Sequence, residues 1–112
     1  MRYYSEEEMK DLRLALENEI LKWDKVVPKK MFGCPCYDAN KKLFAFVATN
    51  RLVIIQLSAE DRELLQREYN AQPFGAGPRK VKSWSQVPFQ SKEDLKKLLP
   101  FVKKSYANAL AV

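Results

Sequence analysis

Only two side chains of this 112-residue chain carry thiols, and they stand two apart: Cys34 and Cys36, with Pro35 between them. A thiolate pair can ligate a metal or cycle through a disulfide. Zinc takes four ligands, and with no other cysteine and no histidine a metal would have to draw on carboxylates or on a second chain. Read plainly, Cys34 and Cys36 are small apolar residues on a strand, since free cysteine is among the most buried residue types. The lack of histidine also removes Ser-His-Asp triads, Cys-His dyads and the commonest general base. No catalytic residue, metal or cofactor is expected. The carboxylates gather at Glu6 to Glu8, Glu60 with Asp61, and Glu93 with Asp94, where helix starts already account for them.

The second constellation is basic and aromatic. Arg79, Lys80 and Lys82 precede Trp84, and in a regular strand Lys80, Lys82 and Trp84 fall on one face, two cations beside a ring that could stack on a base. Lys29 and Lys30 can add to this set. Lys92, Lys96 and Lys103, widened by Lys97 and Lys104, share one face of the last helix, a pattern that suits phosphates as well as plain solvation. A net charge of +6 permits association with phosphate-rich partners. The Gly75 to Pro78 run lacks the Lys-Ser/Thr of a phosphate-binding loop and reads as a flexible connection.

The element that must position these groups is the stretch from Met31 to Leu57, where apolar character runs nearly unbroken between turn signals, as in strands buried in a sheet. Leu43 to Thr49 and Leu52 to Leu57 are apolar on both faces and separated only by Asn50-Arg51, so they read as adjacent antiparallel strands in the middle of the sheet. Asp38-Ala39-Asn40 suits a tight turn, with Asn40 the residue that accepts positive φ. Pro28 limits the Val26 to Phe32 segment to an edge or opening strand. The Asn70 to Pro78 run reads as a loop, and Arg79 to Val87 as an edge strand whose charges need water.

Three capping signals mark helices. Ser5 with Glu8 opens the first, whose Met9, Leu12, Leu16, Ile20 and Trp23 form one stripe. Ser58 with Asp61 opens a short second helix ending near Tyr69. Ser91 with Asp94 opens the last, in which Leu95, Leu98, Leu99, Val102, Tyr106 and Leu110 share a face and Pro100 predicts a kink or a split. The expected fold class is α+β, one domain over residues 1–112: an antiparallel β-sheet of four to five strands packed with an N-terminal helix, a short middle helix and a kinked or split C-terminal helix. The acidic start lacks the apolar segment of a secretory signal, and no run reaches the roughly 18 residues of a membrane span. A cytoplasmic setting without membrane partners is the default expectation.

Met31-Phe32-Gly33, Leu43-Phe44-Ala45, Arg51-Leu52, Pro73-Phe74, Val87-Pro88, Leu95 and Phe101, in this order, resemble the TfoX (Sxy) N-terminal domain family from about Lys29 to Leu110. The family takes its name from a two-domain bacterial regulator of natural competence, and the resemblance covers its first domain, as in a stand-alone member. It implies a compact α+β domain with a regulatory role and carries over no catalytic residues. The resulting expectation is a non-enzymatic regulatory or interaction domain, transcription-related, that contacts a protein or binds nucleic acid weakly and can form a homodimer. Its surface would be Lys29, Lys30, Arg79, Lys80, Lys82 and Trp84, beside the family motif Met31, Phe32 and Gly33. The reading from a different class is a thiol-dependent redox or metal-linked activity at Cys34 and Cys36.

Overall fold

The chain folds as α1 (Glu6–Ile20), β1 (Val26–Met31), β2 (Cys34–Ala39), β3 (Lys42–Ala48), β4 (Arg51–Ile54), α2 (Ala59–Tyr69), β5 (Gln72–Ala76), β6 (Arg79–Pro88) and α3 (Lys92–Ala111). The computed structural model describes residues 3–76 and 79–111, the side chains of Ala76 and Arg79 excepted. Gly77 and Pro78, the end of the glycine-containing run, lie outside the described residues.

All strands join one antiparallel sheet in the order β1-β2-β3-β4-β6-β5. The sheet has six strands rather than four to five, because Gln72–Ala76, expected as a loop, pairs with β6 and forms the far edge. This displaces Arg79–Pro88 from the edge position its charges suggested. Its second half lies between β4 and β5, while its first half pairs with β5 alone and keeps its lysines in water. Both edge strands carry a proline, Pro28 in β1 and Pro73 in β5, the position where a missing N–H costs least.

Tight turns set the register. Asn40 and Lys41 both take positive φ (52° and 66°), as a type I′ hairpin requires, and Phe32 and Gly33 do the same between β1 and β2 (55° and 78°). In β3, Phe44 is an extra residue opposite Tyr37 and Asp38. The bulge turns both Phe44 and Ala45 toward the main core. Ser105 of α3 locks it, donating to the Phe44 carbonyl at 2.7 Å and accepting from the Gln56 N–H at 2.9 Å.

One face of the sheet is covered by the helices. Met9, Leu16 and Ile20 of α1, Leu65 of α2, and Leu98, Val102 and Ala109 of α3 enclose Tyr37, Phe44, Val47, Leu52, Ile54 and Phe89, all essentially without solvent exposure. The helix starts use the expected caps: Ser5, Ser58 and Ser91 hydroxyls accept from the N–H groups of Glu8, Asp61 and Asp94. At α1 the return bond of a capping box is not made, because the Ser5 N–H donates to Thr49 Oγ1 at 2.8 Å and ties the helix start to the β3–β4 turn. α3 runs unbroken through Pro100, so the split does not occur; Pro100 and Lys96, whose carbonyl loses its partner, are both exposed.

Among the described residues the other face carries no helix, yet it too is buried. Cys34, Cys36, Phe46, Val53, Ile55 and Phe74 are buried there, with Tyr3, Met31, Leu43 and Trp84 packed around them. Phe32 at the β1–β2 turn reaches the Tyr3 ring at 6.0 Å, and Tyr3 reaches Phe74 of β5 at 6.2 Å. In a flat sheet β2 and β5 would stand about 19 Å apart, at roughly 4.8 Å per strand. The sheet therefore curls over this face, and the N-terminal tyrosine bridges its two ends.

Candidate functional site

An open groove of about 970 Å³ lies between the start of α1 and the β1–β2 hairpin. Its helix wall presents Glu6, Glu7, Arg13 and Glu17; its hairpin wall presents Pro28, Lys29, Lys30 and Phe32. Tyr3, Tyr4 and Ser5 complete the lining along with Gly33 and Pro35.

The ionisable groups of the helix wall saturate one another. Arg13 grips Glu6 with two bonds, Nε to Oε1 at 2.9 Å and Nη2 to Oε2 at 2.7 Å, and donates through Nη1 to Glu17 Oε1 at 2.9 Å. The other oxygen of Glu17 accepts from the buried Tyr37 hydroxyl at 2.7 Å, and Glu6 accepts a further bond from Tyr4. Hydrogen bonds from Arg13, then Tyr4, hold the Glu6 carboxyl down to about 2. Burial, with Glu6 beside it, pushes Tyr4 up to about 12, and burial followed by the bond to Glu17 raises Tyr37 as well. The fork of Arg13 is closed by two carboxylates, so these groups form a structural tie between the start of α1, its last turn and β2. The sequence reading missed this set; its one legible signal is the four-residue spacing of Arg13 and Glu17 on a helix.

The hairpin wall holds part of the sequence-derived site. Lys29, Lys30, Phe32 and Gly33 line the groove. Lys29 is engaged, its Nζ 2.8 Å from Asp38 Oδ2, which neutralises a largely buried carboxylate. Lys30 is exposed and has no carboxylate partner among the described residues. Phe32 is 65% exposed. Met31 of the same motif packs instead against the cluster that holds Cys34, Cys36 and Phe46.

Arg79, Lys80, Lys82 and Trp84 sit elsewhere, on β6, separated from the hairpin by β3 and β4 in strand order. The side chain of Arg79 lies outside the described ones. Lys80 and Lys82 are exposed, but Lys80 does not share a face with the ring as a regular strand would have it. Pro73 pairs with Ser85 while Phe74 pairs with Val81, so Lys82, Ser83 and Trp84 form an irregular insertion. This puts Lys80 on the face opposite Phe74, whereas Trp84 packs on Phe74 at 6.0 Å and edge-on to Phe46 at 5.7 Å. The lysine face of α3 is also partly committed: Lys104 pairs with Asp61 at 3.1 Å, and Lys103 lies 4.3 Å above the Trp23 ring.

Cys34 and Cys36 are free thiols, 0% and 4% exposed on the dry face. Burial raises both thiol pKa values, against the low-pKa exposed setting that thiolate chemistry needs. Among the described residues no group of three or more cysteine and carboxylate side chains could hold a metal, and no helix is long and apolar enough to cross a membrane.

Comparison with known proteins agrees with the residues that carry the resemblance. No curated protein and no solved structure matches. A family model, that of the TfoX N-terminal domain, matches residues 19–109, which takes in every strand, the groove hairpin and most of α3. On that match the chain belongs to the TfoX N-terminal domain family.

Proposed function

We propose that this domain is a non-enzymatic regulatory module that works by contacting another protein through the β1–β2 hairpin and the groove beside it. The observation that carries this reading is the contrast between the two walls. The Glu6, Arg13, Glu17 and Tyr37 side chains are engaged with one another, whereas the hairpin offers an exposed phenyl ring and a lysine without a carboxylate partner among the described residues. Phe32 holds its ring out on a backbone with φ 55°, a conformation bulky residues rarely adopt and one that tends to persist where the side chain has a use. Aromatic side chains at a rim of this kind are frequent anchors of protein interfaces. Family membership supports a regulatory setting, and the default compartment is the cytoplasm.

The experiment is site-specific photocrosslinking in the native host. A crosslinker at position 32 is expected to give discrete protein adducts, while one at Leu14, a comparably placed exposed apolar residue of α1, is not. Equal labelling at both positions, or none at 32, overturns the reading.

A second reading is favoured by the exposed Lys80, Lys82, Lys92, Lys96 and Lys97, none of which has a carboxylate partner among the described residues. They would track a nucleic-acid backbone without base stacking, since the Trp84 ring is engaged by Phe46 and Phe74. Affinity for duplex or single-stranded DNA should fall with salt and with removal of the Arg79, Lys80 and Lys82 charges. No detectable binding at low salt rejects it.

A further inference from the structure

The two walls of the groove differ in sign. On the α1 side Glu7 is exposed, and Glu6 is kept ionised by Arg13; on the hairpin side Lys30 is exposed and free of any carboxylate among the described residues. An acidic partner segment laid in the groove would run beside Glu7, and a basic one beside Lys30. Neither finds a surface of one complementary sign. A second copy of this chain escapes the conflict. A two-fold axis reverses the groove end for end and sets the acidic wall of each copy against the basic wall of the other, so that every favourable contact occurs twice. Phe32 stands at the rim, 65% exposed, with its ring 6.0 Å from that of Tyr3. Pairing through strand addition is hindered at both ends of the sheet by Pro28 and Pro73, while the exposed Phe32 ring offers a side-chain contact.

We propose that the occupant of the groove is a second copy of the chain, in a two-fold dimer where Phe32 enters the groove of the partner subunit and Lys30 pairs with its Glu7. The inference rests on the reading of this hairpin as a protein-contact surface and names the partner. The symmetry makes a distinctive demand on charge. Lys30→Glu places two acids in contact in its own homodimer, and Glu7→Lys places two bases there. A mixture of the two variants restores an acid–base pair at both contacts.

Sedimentation velocity of the full chain over a concentration series tests this. The wild type is expected to move from monomer to dimer, each single variant to remain monomeric over the same range, and their equimolar mixture to regain the dimer. A variant that had merely failed to fold could not be rescued by mixing. A wild type that stays monomeric, single variants that dimerise like the wild type, or a mixture that stays monomeric each overturn the proposal. If the wild type is monomeric while position 32 still crosslinks to a different protein, the dimer falls and the contact surface stands. If crosslinks are absent too, both fall.

Discussion

The hydroxyl of Tyr37 donates to Glu17 Oε2 at 2.7 Å, joining the second strand of the sheet to the last turn of α1. Tyr37 has no solvent exposure and Glu17 little, so the bond forms where water competes weakly. The same carboxylate accepts from Arg13, which in turn grips Glu6 at the helix start. The floor of the groove is thus held from the core outward. Tyr37→Phe should cost about 1–3 kcal/mol, the usual range for a hydrogen bond to a charged group in a sheltered setting. Urea denaturation of the two proteins measures it, and an unchanged midpoint would mean that the tie does not support the fold.

Acid should loosen the same tie at its outer end. The Glu6 carboxyl is held near 2 in the folded chain by Arg13 and Tyr4, below its ordinary value of 4.5. A carboxyl with a depressed folded pKa contributes stability above its unfolded value and loses it as pH falls toward the folded one. Stability should therefore decline between about pH 4.5 and pH 2. In Glu6→Gln that part of the decline should vanish while the neutral-pH stability drops. Chemical denaturation at several pH values reads both.

The thiols should be silent in the native protein. Cys34 and Cys36 are buried, and burial raises both pKa values, so a thiol reagent near neutral pH should label neither until denaturant is added. Rapid labelling of the folded chain would return the thiol-dependent reading to consideration.

Ser105 should matter more than its size suggests. Its hydroxyl serves the Phe44 carbonyl and the Gln56 N–H together, and Ser105→Ala removes both bonds, the Phe44 carbonyl keeping the Ile55 N–H at 3.1 Å. The expected loss is about 1–3 kcal/mol by thermal or urea unfolding. A neutral result would show that water takes over the bulge.

Pro73 and Trp84 mark where local reading stops. A proline followed by two closely placed glycines looks like a loop in any window of sequence, but Gln72–Ala76 becomes a strand because β6 offers it a partner, and an edge tolerates the missing N–H. The slip between Pro73 and Phe74 then sends Trp84 to the dry face and Lys80 to the other, dissolving a basic and aromatic face that strict alternation had implied. Lys29 shows the same limit, since its partner Asp38 becomes a neighbour only through β1–β2 pairing.

By itself the sequence determined what periodicity, caps and turn residues can encode. These are α1, α2 and α3 at their serine caps, the adjacent inner strands β3 and β4, the Asn40 turn, and the family to which the chain belongs. All of these depend on interactions within a few residues or on a pattern facing a core. Only the tertiary structure decided the groove, the Glu6–Arg13–Glu17–Tyr37 tie and the division of the lysines, because each requires side chains far apart in the chain to meet. Curvature of the sheet and a three-residue slip, neither written in any single segment, place them.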